Sequence, residues 1–534
     1  MRPMSHLCLG SRGASLPHWK LHRLVGTVSC VSTSETTHSP LTARRRWAAL
    51  AVLALAVLVM AVDGTVLSLA VPSLTADLAP SATQILWIGD VYSLALAGLL
   101  LVMGNLADRV GRKRLLLTGA TAFGLASLLA AFAGSPEALI GARLLLGVAG
   151  ATLMPSTLSI IRNLFADPAE RTRAIAIWSA AAGGGAALGP LVGGALLEHF
   201  RWGSVFLINV PIMAALVVAG AFLLPESRDP DPGRFDLLSA ALSMAAIVPL
   251  VYAVKHTVST GVDGSGVLAL LLGLAAGVAF VRRQRSLDTP LIDVDLFRGP
   301  AFSGAVFAAF ITIFALTGLL FFFSQYLQLA RGHSPLQAGL AELPATLASI
   351  AVVALVGRAL ARLGAGRAIA GGLALISLGL AGIAAAEGAE NYLWLALALV
   401  PVGFGVGLSQ TVTTDAVVSA VPSHKAGAAS AIAETAYELA VALGIAVLGS
   451  LVSLVYRSNL DLPADLPADQ RAAVRDSLAS GSSALDADSP VLHSAREAFT
   501  GAMQTTSLVA AAVTLVAAFV AWRTIPSVAV RPAD

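Results

Sequence analysis

Fourteen apolar runs, most of them separated only by short turns, constrain this chain more than any other feature. A helix needs roughly 20 mainly apolar residues to cross the hydrocarbon of a bilayer. Inside lipid every backbone polar group must find a partner within the protein, which leaves helices or closed barrels as spanning structures. The runs fall at about 47–70, 86–106, 115–133, 138–161, 174–196, 203–224, 237–254, 265–281, 301–329, 338–356, 368–386, 393–416, 426–455 and 500–522. They predict an all-α membrane protein with fourteen transmembrane helices. Composition agrees, with 57% hydrophobic and 12% charged residues, where a soluble protein carries about 25% charged. A net charge of +3 over 534 residues is too small to suggest nucleic acid as a partner. Cys8 and Cys30 both precede the first span, so the body of the chain holds no disulfide or thiolate metal site.

Residues 1–43 lack the apolar core and cleavage site of a signal peptide and read as a disordered extension or an overcalled start. Lys and Arg orient the rest. One set of connections holds Arg44–Arg46, Arg109–Arg114, Arg162/Arg171/Arg173, Arg282/Arg283/Arg285 and Arg358/Arg362/Arg367. The other set carries Arg201, Lys255 and Arg331, about one each or none. The positive-inside rule therefore places both termini in the cytoplasm of a multi-pass protein of the bacterial inner membrane. The long connection 456–499 then faces outward, with seven acidic and four basic residues and no apolar periodicity.

An internal repeat organises the spans. Gly104-Asn-Leu-Ala-Asp108-Arg109-Val-Gly111-Arg112-Lys113-Arg114 joins spans 2 and 3. Gly357, Arg362, Gly364 and Arg367 repeat its Gly104, Arg109, Gly111 and Arg114 at one offset of 253 residues (357 − 104), between spans 10 and 11. At the same offset Ser81-x-x-Gln84 meets Ser334-x-x-Gln337. Eight spans separate equivalent places, which fits two six-helix bundles, 44–224 and 299–522, around an inserted pair with its loops at 225–298. A tail follows at 523–534. Repeated parallel halves are a transporter architecture, with the substrate site near mid-membrane at their interface.

Ionisable residues inside spans are costly and usually functional. Asp63, in Met60-Ala-Val-Asp63-Gly64-Thr65-Val66, stands near the middle of span 1. It is the first candidate for proton and substrate binding; the alternative is structural pairing with another polar group. Glu434 and Glu438 lie four apart on one face of span 13, where they repel when both are ionised and where a bound cation relieves the repulsion. Pairing with a basic residue, or reach to the headgroups, is the alternative. Arg143 in span 4, beside Gly147 and Gly150, is the matching positive charge, suited to neutralise a core carboxylate or respond to its protonation; a purely structural ion pair is the alternative. Asp90, Glu342 and Asp415 lie nearer helix ends, within reach of water, and Glu342 adjoins Pro344. In span 5, Gly185, Gly189 and Gly193 form a small-residue stripe that lets another helix approach closely. Pro190 interrupts the same helix, so the stripe suits a pivoting seam or a static tight contact. The sequence offers no Walker loop, dinucleotide fingerprint or metal-spaced histidine pair, so we expect no enzyme, metal or cofactor.

These residues together resemble the major facilitator superfamily, specifically its fourteen-span drug:proton antiporter branch, over roughly 45–525. The Gly104–Arg114 loop is similar to the superfamily's loop between helices 2 and 3 nearly throughout. Asp63-Gly-Thr-Val with Ala70-Val-Pro72, Arg143 with Gly147, and Gly185 to Gly194 resemble the motifs of helices 1, 4 and 5 in that branch. Arg201-Trp202 through Asn209-Val-Pro211 resembles its approach to helix 6, and Lys425 through Glu438 resembles helix 13 of quaternary ammonium and dye exporters. The resemblance implies proton-driven alternating access that exports amphipathic, often cationic, compounds. It makes Asp63 and Glu434, then Glu438 and Glu342, the proton and cation sites, with Arg143 a proton relay. Helix 5 becomes the conformational element, and Gly104, Asp108, Arg109, Gly111 and Arg112 a cytoplasmic gate. The second copy departs from that pattern, since Ala361 replaces the carboxylate. The expected partners are small amphipathic or cationic molecules, protons and lipid, with the chain a monomer. The competing expectations are a narrow exporter of one endogenous metabolite or antibiotic, and a transport-inactive sensor or lipid-handling scaffold.

Overall fold

The computed structural model describes residues 42–228, 236–287, 290–421 and 426–526. The N-terminal extension, apart from Thr42 and Ala43, lies outside the described residues, as do Lys425 and the end of the tail. Fourteen helices among the described residues are long and apolar enough to span a bilayer. They are α1 Ala43–Leu78, α2 Ala82–Val110, α3 Arg112–Ala131, α4 Pro136–Leu164, α5 Ala169–His199, α6 Ser204–Leu223, α7 Leu237–Thr257, α8 Gly264–Ser286, α9 Pro300–Ala330, α10 Pro335–Leu363, α11 Ala365–Ala386, α12 Tyr392–Val417, α13 Ala429–Asn459 and α14 Pro490–Thr524.

The packing repeats itself at an offset of eight helices. In the first half α1 packs on α5 and α6, while α4 packs on α2 and α3, and α3 on α6. In the second half α9 packs on α13 and α14, while α12 packs on α10 and α11, and α11 on α14. The halves meet along two related seams, α2 with α13 and α5 with α10, and along α1 with α9. Helices α7 and α8 pair with each other, and α7 alone docks on the α2/α13 seam. Two repeated six-helix bundles with two inserted helices, as expected from the sequence, are thus present.

Local chemistry explains the repeat. Ser81 and Ser334 each cap their helix through the backbone of the residue three on, and Gln84 and Gln337 bond back, closing the same reciprocal box twice. At the far ends Gly111 (φ 114°) and Gly364 (φ 74°) stop α2 and α10 in a conformation that side chains resist. Helix α10 breaks at Glu342, where Pro344 at the start of Leu343–Leu363 removes a backbone donor.

Three boundaries depart from expectation. Helix α14 starts at Pro490, nearly three turns before the expected start at 500 and inside the segment read as loop, because Leu492, Ala495, Ala498 and Phe499 form a buried face there. The connection read as lacking periodicity contains two short helices, Ala468–Asp476 and Leu478–Ala484. They are held by burial of Val474 and Leu478 and by the Tyr456 hydroxyl, which donates to the Val474 carbonyl at 2.8 Å. Lys255 lies within α7, not in a loop, and its side chain is buried.

Among the described residues, hydrogen bonds from Gln328 to the Leu69 carbonyl (3.1 Å) and from the Ala82 amide to the Asp476 carboxylate (2.8 Å) tie the halves at their ends. Both lie at the end opposite the Arg-rich loops. Gly194 against Leu336 and Gly339 against the Pro190 carbonyl close the α5/α10 seam at that same end.

Candidate functional site

Asp63 and Arg143 meet inside the first bundle. Arg143 Nη1 donates to Asp63 Oδ2 at 2.9 Å, and both side chains are essentially fully buried. Asn209 of α6 donates to the other oxygen at 2.8 Å and also reaches Ser127 Oγ of α3 at 3.3 Å. Arg143 Nε donates to the Ile88 carbonyl at 3.2 Å, and its guanidinium lies over the Tyr92 ring, 4.7 Å from the centroid. Small residues make the arrangement possible: a Cβ at Gly147 would stand 2.5 Å from the Tyr92 carbonyl, so only glycine lets α4 approach α2 this closely. A buried pair repays its desolvation only when its remaining hydrogen bonds are satisfied, and here α2 and α6 supply them, with α3 steadying Asn209. In this conformer Asp63 therefore faces a partnered interior, not an open cavity.

Glu438 and Glu434 stand on α13 at the seam with α2. Glu438 is buried with Ser93 of α2 in hydrogen-bonding reach, while Glu434 is half-buried and Tyr437 between them is partly exposed. Neither glutamate has an ion-pair partner among the described residues. Glu342 is buried at the break in α10, with Oε1 lacking a hydrogen-bond partner. Asp415 is exposed toward the basic end of α12 and is not brought together with the others.

Asp90 does not reach water. It is buried against Lys255 at 2.6 Å, and the ammonium sits 3.7 Å from the centroid of the Trp87 ring. Sequence reasoning missed this pair because the polar run after Lys255 reads as a loop. Asn209, Tyr92 and Ser93 were missed as site residues too, as was the buried Glu387 at the end of α11, in contact with Ser507. A Trp-x-x-Asp spacing inside an apolar helix was the available signal for Trp87 and Asp90.

The basic loop is built around Gly111. Asp108 and Arg112 pair across it at 2.8 Å. The Arg112 amide donates to the Ser227 carbonyl at 2.9 Å, and the Lys113 amide to Glu226 at 3.2 Å. The loop thus docks on the segment leaving α6, and Glu226 is a partner the sequence did not advertise. Gly104 faces Pro155 of α4 with room to spare. In α5, Gly185, Gly189 and Gly193 all abut α1, at the Leu58 carbonyl, the Thr65 hydroxyl and the Val66 side chain. Pro190 and Gly194 turn instead to α10.

Fourteen apolar helices in two repeated bundles, with charges buried between them, define a multi-span membrane protein of transporter-like architecture. The sequence pattern of the Major Facilitator Superfamily matches residues 53–445. The chain is 47% identical to the multidrug efflux pump LfrA of Mycolicibacterium smegmatis over 92% of its own length and 98% of that protein. It is 40% identical to the methyl viologen resistance protein SmvA of Salmonella typhimurium, covering 81% of this chain and 88% of that one. Among solved structures it resembles a bacterial homologue of the human lysosomal transporter Spinster, with a TM-score of 0.61 at 18% identity, covering 92% of this chain and all of that one. The chain belongs to the Major Facilitator Superfamily.

Proposed function

We propose that this protein is a drug:proton antiporter that exports amphipathic, cationic compounds by alternating access. The observation that carries the reading is a contrast in pairing. Asp63 has its permanent-looking cation in Arg143, whereas Glu434 and Glu438 at the seam between the halves have none among the described residues. Carboxylates at mid-membrane that lack a cation are suited to hold either protons or an organic cation, because each neutralises them. Exclusive occupancy by one or the other makes proton uptake and substrate release reciprocal. Glu342, Asp90 and Asp415 are assigned to the same proton and substrate pathway, and Arg143 to relaying the protonation state of Asp63. The names of the similar proteins, a multidrug efflux pump and a methyl viologen resistance protein, support this substrate class.

The working unit is a monomer in the bacterial inner membrane with both termini cytoplasmic, as the Lys and Arg distribution supports. Its bundles are 44–224 and 299–522, the inserted pair is 225–298, and the tail is 523–534. The contacts at the end away from the basic loops then make this an inward-facing conformer. Helix α5 carries the conformational exchange, and the Gly104, Asp108, Arg109, Gly111 and Arg112 loop is the cytoplasmic gate.

The test is ethidium transport in everted vesicles energised by a proton gradient. Asp63→Asn, and Glu434→Gln with Glu438→Gln, are expected to abolish gradient-driven accumulation that a protonophore also collapses. Wild-type accumulation that all these variants retain overturns the proposal.

A further inference from the structure

Lys255 and Trp87 have no part in the reading above, yet with Asp90 they make a box whose chemistry recognises organic cations. A carboxylate oxygen lies 2.6 Å from the ammonium, and an aromatic face lies 3.7 Å from it. An anionic group and an aromatic face are the combination that binds quaternary ammonium ligands. Trp87 and Asp90 are three apart on α2 and so share a face. The cation comes from elsewhere, on the inserted helix α7. Neither Asp90 oxygen nor the Lys255 nitrogen makes another hydrogen bond among the described residues, so the charges hold only each other. A small cavity adjoins Lys255, its lining including Ala82, Thr83, Leu86, Ser450 and Arg457. One helical turn along α2, Ser93 faces Glu438, so the box borders the seam where the unpaired glutamates stand.

We propose that Trp87 and Asp90 form a second cation subsite, filled in this conformer by Lys255 as a tethered competitor, and that this competition sets the preference between singly and doubly charged amphiphiles. A monocation satisfied by Glu434 and Glu438 leaves the box undisturbed. A dication whose second charge reaches Asp90 must first evict Lys255. The insertion of α7 and α8 thereby supplies the carrier with its own selectivity filter.

The inference rests on the cation-export reading, but binding to the purified protein separates the two. Failure of that reading appears as loss of proton-linked ethidium transport, whereas failure of the subsite appears only in relative affinities. The full-length chain in lipid nanodiscs is titrated with methyl viologen, a dication, and tetraphenylphosphonium, a monocation. Lys255→Gln is expected to bind methyl viologen about tenfold more tightly while tetraphenylphosphonium changes by less than about threefold. Adding Asp90→Asn to it is expected to erase the gain. Lys255→Arg keeps the buried charges balanced, so it tests the idea even where the glutamine variant does not fold. Its bidentate guanidinium holds the carboxylate harder, and methyl viologen binding is expected to weaken at least about threefold with the monocation unchanged. Affinities for both probes that move in parallel, or a methyl viologen gain that survives Asp90→Asn, overturn the proposal and reduce the pair to a tie between α7 and α2.

Discussion

Removing Arg143 alone is expected to damage the protein far more than removing Arg143 and Asp63 together. The guanidinium is 1% exposed and the carboxylate 0%, so neither can turn to water when its partner is lost. Two unit charges about 4 Å apart attract by roughly 4 kcal/mol at an effective dielectric of 20. Breaking a buried pair from one side costs about 3–5 kcal/mol because the remaining charge stays uncompensated. For Arg143→Met we take the upper part of that range, since Asn209 is then the one strong donor left to Asp63. Asp63→Asn leaves Arg143 with the Ile88 carbonyl and the Tyr92 face, so about 3 kcal/mol is expected. The double variant places a neutral pair in a dry site and is expected to fall within about 2 kcal/mol of wild type. The measurement is reversible unfolding in mixed detergent micelles, followed by tryptophan fluorescence. The reasoning requires an interaction energy above about 2 kcal/mol, whereas independent sites add to within about 0.5 kcal/mol. Single effects that simply sum would refute it. All three variants are expected to lose proton-linked efflux, so the stability rescue comes without a functional one.

The glycines of α5 separate into two kinds. A Cβ at Gly185 would stand 2.5 Å from the Leu58 carbonyl, a backbone atom that cannot step aside, whereas one at Gly183 meets nothing within 4 Å. Gly185→Ala is expected to lose about 1–3 kcal/mol by overpacking and most ethidium efflux, while Gly183→Ala keeps both, as read by thermal unfolding and vesicle transport. Gly111→Ala forces a side chain to φ 114° and toward the Glu226 carboxylate 2.6 Å away. It is expected to cost about 1–3 kcal/mol and to loosen the 224–228 segment, seen as faster hydrogen exchange there. Outside the membrane, His256 bonds Asp263 and the Gly266 amide donates to it, holding its carboxyl down at about 2. An acid with a depressed folded value contributes above its unfolded value and stops contributing as pH falls through the folded one. Amide protection at the start of α8 is therefore expected to hold down to about pH 4 and to fade toward pH 2, with Asp263→Asn removing the pH dependence.

What was legible in the sequence was whatever repeats or is local. Ser81 with Gln84 and Ser334 with Gln337 announce two equivalent helix starts from four residues, and the structure closes the same box at both. Gly111 and Gly364 mark two equivalent stops. Asp63 and Arg143 each stood out by depth alone. Their bond was harder to foresee, since 80 residues separate them and Asn209 lies 146 away from Asp63. Such partners are chosen by packing, not by spacing. Lys255 was hidden by its neighbours: His256 and Thr257 make the end of α7 look like water, although the lysine itself folds back on α2. The short helices at 468–484 carry little apolar signal, because Tyr456 and Phe499 of the flanking spans furnish the surface that orders them.

The docking of α7 on α2 and α13 leaves the molecule lopsided toward its solvent of acyl chains. The seam of α2 with α13 is flanked by the extra hairpin, whereas among the described residues no comparable helix pair packs on the seam of α5 with α10. The surroundings of the two seams are thereby unlike, even though the two halves that make them are built alike.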